Sequence, residues 1–477
     1  HTRSSSVTEF RRVLFRSVHL YDTTDTIAAI ATPLGESGIG VIRISGSHAY
    51  DVGDAIFRSP SGKPLAQRRD RSIQHGFIVA DDGRPVDEVL MLIMKRPHSY
   101  TAEDVLEIQC HGGRKALEEI LGLVLAHGAR MANPGEFTQR AFVNGRIDLA
   151  QAEAVMDVIQ AKSRQGLTSA VNQLEGRLSK VIGAMRHDLT DFITRLEVTI
   201  DYPEEDLEDI TVPDVAGAIR KQLTALDDML EASHDGRIIR DGVMAAIAGT
   251  PNAGKSSLLN RLLQEDRAIV TDVPGTTRDV LEEWISLKGV PVCLVDTAGI
   301  RETDDTVEKI GVTKAKAYMD KADIILVVID RSRPLSDEDK AILEDTKDKN
   351  VLVVLNKTDL MPVVTEKDLA GYGHPVLSLS AGTGDGLDSL KDKLLSLALS
   401  HADTAGSALL TNTRHIELVR QSRQALQRAL DSIEAGMPVD CAVVDLREAW
   451  ELLGSITGDT VHDDMVEEIF SRFCLGK

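Results

Sequence analysis

The 477-residue chain is poor in aromatic residues and in cysteine. Aromatics make up only 4% of it, so its cores must be built mainly from Leu, Ile, Val and Ala. The four cysteines, Cys110, Cys293, Cys441 and Cys474, are scattered and form no CxxC pair. This usage predicts reduced thiols and a cytoplasmic protein, because disulfide frameworks belong to oxidising compartments.

The sequence also lacks a long apolar run and an excess of positive charge. No apolar stretch reaches transmembrane length. Lys and Arg number 54 against 75 Asp and Glu, which gives a net charge of −21 and argues against a broad basic face for nucleic acid. A small local basic patch remains compatible with this balance. Residues 1–20 lack an initiating Met and the apolar core of a secretory signal, so we expect a non-native or disordered extension.

The chain does contain a clear order of hydrophobic patterns. Short β-rich runs broken by Gly and Pro predict an α+β domain over 21–142. Helical spacing of apolar residues predicts a helical domain in two parts, 143–236 and 403–477, with the last helix of the first part ending at Gly236. Apolar strands alternating with helices over 237–402 are typical of a parallel sheet covered on both faces. We therefore predict a multidomain α/β fold with an α/β block inserted into an all-α domain.

The stretch GTPNAGKSS, Gly249 to Ser257, matches the phosphate-binding P-loop pattern. It follows an apolar strand and precedes a helix, which is the context that this pattern requires. Its glycines let backbone N–H groups surround phosphates, while Lys255 is expected to reach the β and γ phosphates. Ser256 offers a hydroxyl to Mg²⁺.

Three further motifs follow, each after a predicted strand. DTAG begins at Asp296, which is expected to hold Mg²⁺ through water, while Gly299 is expected to contact the γ-phosphate. NKTD ends at Asp359, whose carboxylate matches the two adjacent N–H donors of guanine, a pair that adenine lacks. SAG, beginning at Ser380, would close over the base. The nucleotide is therefore expected to be GTP.

PGTTRD, Pro274 to Asp279, is the candidate switch loop, and its Thr277 is expected to complete the Mg²⁺ shell. Ile300 follows DTAG where Ras-like enzymes carry a Gln, so another group must orient the attacking water. The charged candidates nearby are Arg278, Arg301, Glu302 and Glu308.

These motifs, together with DTIAAIATPLGESGIGVIRISG, SYTAEDVLEIQCHGG, NPGEFTQRAFVNGRIDLAQAEAV, DYPEED and IFSRFCLGK, show a resemblance over about residues 24–477. The chain resembles the MnmE (TrmE) family of tRNA-modification GTPases, within the TrmE-Era-EngA-like group. The resemblance implies GTP contacts at Asn252, Ala253, Gly254, Lys255, Ser256, Ser257, Thr271, Asp272, Val273, Pro274, Gly275, Thr276, Thr277, Asp296, Thr297, Ala298, Gly299, Asn356, Lys357, Asp359, Ser380 and Ala381.

The resemblance also implies a potassium ion in place of an arginine finger. Its matching ligands are Asn252, Thr271, Val273 and Thr276, and an ion there would stabilise the developing charge. The family's water-orienting Glu corresponds to Glu308, acting through a bridging water. Lys255 and Thr277 complete the expected catalytic set in the G domain.

The family's N-terminal domain binds formyl-tetrahydrofolate and dimerises. The matching folate residues are Arg43, Glu103, Arg146 and Lys477. The chain departs from the family pattern at Glu36 and Ser37, where Arg and Gly are usual, and at Arg146, where Lys is usual. Cys474 matches the family's near-terminal Cys, which implies a role in the modification reaction.

The implied function is GTP hydrolysis with Mg²⁺ and K⁺ in a homodimer. With the FAD protein MnmG (GidA), in a heterotetramer or larger complex, it would add an aminomethyl or carboxymethylaminomethyl group to C5 of wobble uridine 34 of certain tRNAs. The one-carbon unit would come from a methylene-tetrahydrofolate, and tRNA would be contacted largely through the partner, with no membrane involved.

Two alternatives have their own signatures. An Era-type ribosome-assembly GTPase would add a KH module with a GxxG loop, whereas only helices are predicted after residue 402. A folate-dependent aminomethyltransferase with a regulatory G domain would keep its turnover when Asp359 is replaced.

Overall fold

The computed structural model describes residues 25–201, 212–266, 282–296, 316–399, 410–461 and 463–476. They fold into two compact units. The first contains the described residues up to Met156 and those from Thr457 onward, and the second runs from Asp157 to Ile456.

The first unit is built on a seven-stranded sheet in the order β3-β4-β5-β6-β2-β1-β7. Neighbouring strands are antiparallel except β1 and β7, which are parallel. The strands are β1 (Ile27–Ile30), β2 (Gly40–Ser45), β3 (Phe57–Arg58), β4 (Ser72–Val79), β5 (Pro85–Met94), β6 (Val105–Cys110) and β7 (Arg130–Met131).

Two amphipathic helices, α1 (Ala49–Ile56) and α2 (Arg114–Ala126), cover one face of this sheet. Val52 and Ile120 join the strand residues Ile44 and Ile108 in one buried core. The unit also contains α3 (Glu136–Val143), most of α4 (Leu149–Gln160) and α14 (Asp463–Ser471). Gly458 lies against Phe142, and Gly135 lies against the last turn of α14, so the C-terminal segment packs on α3.

The second unit contains a bundle of long helices and an α/β domain. The bundle helices are α5 (Arg164–Leu174), α6 (Arg177–Asp201), α7 (Val212–Asp241), α12 (Thr413–Glu434) and α13 (Val439–Thr457). Ser163 caps α5 by accepting a hydrogen bond from the N–H of Gly166 at 3.0 Å. Among the described residues after 410 there are helices and turns and no strand.

The predicted end of a helix at Gly236 is wrong. The last residue of helix α7 is Asp241, and the residue that follows it, Gly242, has a φ of 87°. Ile238 and Ile239 are buried, and Ile238 belongs to the core of the α/β domain. A helical glycine costs about 1 kcal/mol relative to alanine, which burial of these two side chains outweighs.

The α/β domain has a six-stranded sheet in the order β13-β12-β11-β8-β10-β9. Its strands are β8 (Val243–Ala248), β9 (Glu282–Leu287), β10 (Val290–Asp296), β11 (Ile324–Asp330), β12 (Val351–Asn356) and β13 (Val376–Ser378). Its helices are α8 (Lys255–Asp266), α9 (Asp337–Asp345), α10 (Glu366–Leu369) and α11 (Leu387–Ala398).

The expectation of a parallel sheet is correct for five strands and wrong for the edge strand β9, which is antiparallel to β10. Lys288 and Gly289 join these two strands with positive φ values of 48° and 89°. Such a two-residue turn reverses the chain and leaves no room for a crossover helix, so the pair must be antiparallel.

Both faces of this sheet are buried, as predicted. Along β11, Leu326 and Val328 lie in a core with Leu258 of α8 and Leu390 of α11. The alternate residues, Val327 among them, pack on the opposite face with Leu343 of α9. The predicted multidomain α/β fold is thus confirmed.

All four cysteines are free thiols, as predicted. Burial raises the pKa of Cys110 to about 11 and that of Cys293 to about 12, so both thiols stay protonated at neutral pH. In the parts of the chain that the structure describes, no helix combines the length and the hydropathy needed to cross a bilayer.

Candidate functional site

The loop between β8 and α8 has the backbone of a phosphate cradle. Gly249 has a φ of 144°, and a Cβ there would lie 2.4 Å from the carbonyl oxygen of Val328. Gly254 has a φ of 98°, and its Cβ would lie 2.2 Å from Nδ2 of Asn356. Both positions therefore require glycine, since a side chain would clash with atoms held in the sheet.

Lys255 and Ser256 begin α8 directly after this loop. The Lys255 ammonium is buried and donates to the carbonyl oxygens of Gly249 at 2.8 Å and Thr250 at 2.7 Å. It is thus fixed over the loop, next to the N-terminus of α8, where a phosphate would bind. Oγ of Ser256 lies 3.3 Å from Oδ2 of Asp296, at the end of β10. A hydroxyl and a carboxylate are the oxygen ligands that Mg²⁺ prefers.

Asn356 joins the phosphate loop to the base-binding end of the site. Its Nδ2 donates to the carbonyl of Ala253 at 2.9 Å, and its Oδ1 accepts from the N–H of Ala381 at 2.9 Å. The side chain is buried, so both of its polar groups are used within the protein. The predicted motifs NKTD and SAG are thereby connected to the P-loop through one amide.

Lys357 connects the phosphate loop to the end of strand β11. Its backbone has a φ of 67°, and its Nζ donates to the carbonyl of Asn252 at 3.0 Å and to Oδ2 of Asp330 at 2.6 Å. Burial of Asp330 acts to raise its pKa, but the hydrogen bonds from Lys357 and Ser332 outweigh burial and hold that pKa below its usual value. The Asp330 carboxylate is therefore charged at neutral pH and anchors Lys357.

Asp359 and Ser380 lie together at the far end of the site. Oδ1 of Asp359 is 2.5 Å from Oγ of Ser380, which also accepts from the N–H of Thr383 at 3.2 Å. Asp359 is exposed, whereas Ser380 is fully buried. The serine thus orients the carboxylate that is predicted to bind guanine. Of the remaining predicted contacts, Ala253 is buried in the loop and Ser257 is exposed on α8.

Three residues that support the loop were missed in the sequence analysis. Oγ1 of Thr250 donates to Oδ1 of Asp339 at 2.8 Å and accepts from Arg333 at 2.6 Å. Asp339 is buried and also forms a capping box with Ser336 at the start of α9. The Ser-x-x-Asp pattern predicts the cap. It does not predict the contact with Thr250, which depends on the neighbouring positions of β8 and β11.

Several predicted residues lie outside the described part of the chain. They are Thr271, Asp272, Val273, Pro274, Gly275, Thr276, Thr277, Arg278, Thr297, Ala298, Gly299, Ile300, Arg301, Glu302, Glu308 and Lys477.

Two of the predicted folate residues, Arg43 and Arg146, lie beside the ring of Tyr100. The guanidinium carbons of Arg43 and Arg146 lie 5.3 Å and 5.0 Å from the centroid of its ring. Arg43 also donates to Glu107 at 2.8 Å and to the carbonyl of Gly476 at 3.3 Å. The last described residue of the chain therefore lies beside Arg43.

Glu103 is held by a buried ion cluster that the sequence analysis missed. Its Oε2 accepts from Oγ of Ser45 at 2.7 Å and lies 3.4 Å from Arg140. Arg140 is almost fully buried and also donates to Asp25 at 2.5 Å and to Glu136 at 2.9 Å. Arg140 thus connects three carboxylates that are far apart in sequence.

Glu36 and Ser37, which depart from the family pattern, are exposed, and so is Cys474 near the end of the chain. Glu36 is exposed, and Oγ of Ser37 donates to the carbonyl of Ile39 at 2.9 Å. Cys474 is exposed, and its carbonyl accepts from the N–H of Gly135 at 3.4 Å.

Comparison with known proteins agrees with these features. The MnmE helical domain family matches residues 149–474, and the family "GTP-binding protein TrmE N-terminus" matches residues 26–146. The chain is 47% identical over 462 residues to the tRNA modification GTPase MnmE of Geobacillus thermodenitrificans, covering 95% of this chain and 99% of that protein. Its identity to the Bacillus subtilis tRNA modification GTPase MnmE is 46% over 462 residues, 95% of this chain and 100% of that protein.

A solved structure of Era from Aquifex aeolicus aligns with 38% of this chain and 66% of its own, at 27% identity and a TM-score of 0.28. The curated relatives match over nearly their whole length, and the two family models cover residues 26–146 and 149–474. The chain therefore belongs to the MnmE family of tRNA modification GTPases, enzymes that bind and hydrolyse GTP.

Proposed function

We propose that this protein is a potassium-activated GTPase that modifies C5 of wobble uridine 34 of certain tRNAs together with the FAD-dependent protein MnmG (GidA). The group added is an aminomethyl or carboxymethylaminomethyl group. GTP hydrolysis drives association and rearrangement of two G domains and does not itself supply the carbon. The modification needs tRNA and GTP, so we place the protein in the cytoplasm.

The observation that carries the proposal is the conformation of Asn252. This residue lies at the crest of the phosphate loop with a φ of 63°, and its backbone carbonyl is held by Lys357. Its side chain is exposed and makes no hydrogen bond to any residue that the structure describes. An amide oxygen beside the phosphates fits a K⁺ ligand, and a cation there stabilises the negative charge that develops during hydrolysis.

Thr271, Val273 and Thr276 would complete the potassium shell, and Glu308 would orient the attacking water through a second water. These assignments follow from the family resemblance. Ile300 cannot perform that role because its side chain has no hydrogen-bonding group.

Ser256 and Asp296 fit a Mg²⁺ site in which the metal is held mainly by the phosphates. No group of three or more His, Cys, Asp or Glu suited to a metal occurs among the described residues. Ser256 would bind the ion directly, Thr277 would complete the shell, and Asp296 would act through water.

The site around Tyr100 supports a reduced folate, either 5-formyl- or methylene-tetrahydrofolate. Two guanidinium groups flank an aromatic ring there, which suits a ligand with a flat ring system and an anionic glutamate tail. Glu103 supplies a carboxylate for the N–H groups of the pteridine, and Lys477 follows the Gly476 carbonyl that Arg43 contacts. Cys474 would take part in the modification step, as the family resemblance implies.

An exposed apolar stripe on the first unit supports a homodimer. Ile73 and Phe77 on β4 and Leu90 on β5 are 58%, 41% and 41% exposed, on the face of the sheet opposite α1 and α2. Contiguous exposed apolar residues of this kind mark protein interfaces. The homodimer would bind MnmG in a heterotetramer or larger complex, and most tRNA contacts would come from that partner because this chain carries a net charge of −21.

The first test is GTP hydrolysis in KCl against NaCl at equal ionic strength. We expect turnover several-fold faster in KCl, and we expect Asn252→Ala and Glu308→Ala to abolish that difference. Asn260→Ala, at an exposed asparagine of α8, is the matched control and should keep it. Equal rates of the unmodified protein in both salts would refute the potassium mechanism and direct attention to Arg278 and Arg301.

A further inference from the structure

One corner of the first unit has a charge opposite to that of the chain as a whole. The stretch from Arg58 to Arg71 contains five Lys or Arg and one Asp, in a chain with 54 basic and 75 acidic residues. The turn that follows β5 adds two more cations. We call these seven residues the basic corner: Arg58, Lys63, Arg68, Arg69, Arg71, Lys95 and Arg96.

The two segments of the basic corner are joined to each other. Nζ of Lys95 donates to the carbonyl of Ala66 at 2.7 Å, and the N–H of Lys95 donates to Asp70 at 2.7 Å. The pairing of Ser72 with Ile93 places the start of β4 beside the end of β5, so Arg71 and Lys95 lie at the same end of the sheet. Arg58 pairs with Phe77 further along β4, and the loop that follows it leads back to that end.

The loop of the basic corner is also fixed internally. Leu65 is buried, and its N–H donates to the carboxylate of Asp54 at 2.9 Å. The Arg68 guanidinium donates to Gln74 at 2.9 Å, to Ser59 at 2.8 Å and to the carbonyl of Lys63. The cations are therefore presented on an ordered platform, which lowers the entropic cost of binding a ligand.

The seven cations of the basic corner outnumber the carboxylates that the described part of the chain places beside them. None of these seven side chains forms an ion pair with a carboxylate in the described part of the chain. The nearby carboxylates of Asp54, Asp70 and Asp104 accept backbone N–H groups instead. By contrast, Arg220, Arg423 and Arg428 of the helical bundle pair with acidic side chains at 2.6 to 2.8 Å.

We propose that the basic corner binds the phosphate backbone of tRNA. Five of its seven cations are arginines, whose planar donor forks match phosphate oxygens better than lysine does. Contacts of this kind position a nucleic acid without reading its sequence. The proposal rests on the proposed function, in which tRNA is the substrate and the partner supplies most of the contacts; the basic corner adds a limited second set.

The test measures binding of fluorescently labelled bulk tRNA to the full-length protein by anisotropy, from 50 to 200 mM KCl. The variant is Lys63→Gln, Arg69→Gln and Arg96→Gln combined, because these three side chains make no hydrogen bond to any described residue and their loss should leave the platform folded. The control is Lys115→Gln, Lys367→Gln and Lys393→Gln combined. These residues are also exposed, so the change in net charge is the same.

We expect the variant to bind tRNA about tenfold more weakly at 50 mM KCl, with a slope of log K against log [KCl] that is shallower by about two, since each lost phosphate contact contributes roughly 0.7 to 0.9. The control should match the unmodified protein. Equal weakening in both sets would show a net-charge effect and overturn the proposal. So would weakened binding of a polyglutamate peptide with unchanged tRNA binding, which would indicate an acidic protein partner instead.

Absence of tRNA binding by the unmodified protein at 50 mM KCl would also overturn the inference. It would leave the potassium dependence of GTP hydrolysis untouched, so this failure is distinguishable from failure of the proposed function. The GTPase rate in KCl should be the same in the unmodified protein and in both variants, since none of the substituted residues belongs to the nucleotide site. Unchanged circular dichroism of both variants confirms that the first unit is folded.

Discussion

The nucleotide site of the second unit and the candidate folate site of the first unit are held in place in different ways. The nucleotide site follows the chain: Gly249, Asn252 and Gly254 lie in one loop, and their positive φ values create its shape. The remaining groups follow the ends of neighbouring parallel strands. This is a site shaped mainly by backbone torsions.

The candidate folate site is assembled from distant segments and held by side-chain charges. Arg43 lies on β2, Glu103 precedes β6, and Arg146 follows α3. Arg140 connects the cluster beneath Glu103 while buried to 1% exposure. The difference teaches that a backbone site depends on single glycines, whereas a charge-held site depends on the cations that its carboxylates share, here Arg140 and Arg130.

The largest expected effect is from Arg140→Met in the charge-held site. The substitution leaves the buried carboxylate of Glu136 and the half-buried carboxylate of Asp25 with Arg130 as their remaining cation. Removing one partner of a buried ion pair costs about 3–5 kcal/mol, and we expect the lower end of that range because Arg130 stays in place. Chemical denaturation of the full-length protein, followed by circular dichroism, measures it. Arg114→Met, which breaks an exposed pair with Glu118, should leave the midpoint unchanged. Similar midpoints for both variants would refute the role of Arg140.

The next effect is from Gly254→Ala in the backbone site. The added methyl would lie 2.2 Å from Nδ2 of Asn356 on a residue with a φ of 98°. We expect GTP affinity to fall about a hundredfold, corresponding to about 3 kcal/mol of strain and distorted contacts. Titration with a fluorescent GTP analogue measures the change. Gly371→Ala, where no atom lies within 4 Å of the new methyl, should bind normally; a comparable loss there would mean that general destabilisation is responsible.

Asn356→Ala tests the single amide that joins the phosphate loop to the base-binding end. It removes the hydrogen bonds to Ala253 and Ala381 and leaves buried partners unsatisfied, at about 1–3 kcal/mol. We expect about tenfold weaker GTP binding by calorimetry. Asn350→Ala removes a weaker bond of 3.3 Å at an exposed position and serves as the control. Unchanged affinity in Asn356→Ala would show that the two ends are positioned independently.

The smallest expected effect concerns how the stability of the first unit depends on pH. Burial acts to raise the pKa of Glu136, but hydrogen bonds from Arg130 and from the N–H of Asn133, with the charge of Arg140, hold it below its usual value. Ionised Glu136 therefore stabilises the fold fully above the ordinary carboxylate pKa of about 4.3, and that contribution is lost as the pH falls through the lowered value.

Glu136→Gln should accordingly lower Tm at pH 7 and flatten the decline of Tm between about pH 5 and 3. Thermal unfolding at successive pH values measures both. Asp388→Asn, at an exposed carboxylate of the second unit, should follow the unmodified protein. A slope for Glu136→Gln as steep as that of the unmodified protein would contradict the assignment.

The nucleotide site was predictable because its residues are close in sequence or follow recognisable strands. Gly254, Lys255 and Ser256 form one motif, and the structure places them in one loop and the first turn of α8. The supporting role of Asp339 was not predictable in the same way. It lies 89 residues from Thr250, and their contact exists only because β8 and β11 are neighbours.

The edge strand β9 and the end of α7 also could not be predicted from the sequence, because both depend on contacts with other parts of the chain. EEWISL is too polar to stand out as a buried strand, and its pairing depends on the Lys288–Gly289 turn. Gly236 resembles a helix end in sequence. Helix α7 passes it because Ile238 and Ile239 are buried beyond it.

The sequence by itself predicted a GTP-binding α/β domain inserted into helices, because glycine torsions, strand hydropathy and the carboxylate predicted to select guanine are properties of short segments. Only the tertiary structure decided how Arg140 joins Asp25, Glu103 and Glu136, and that the side chains of the basic corner form no ion pair with a carboxylate that the structure describes. Electrostatic energy depends on distances through space between residues that are far apart along the chain, and these distances exist only once the sheet of the first unit has formed.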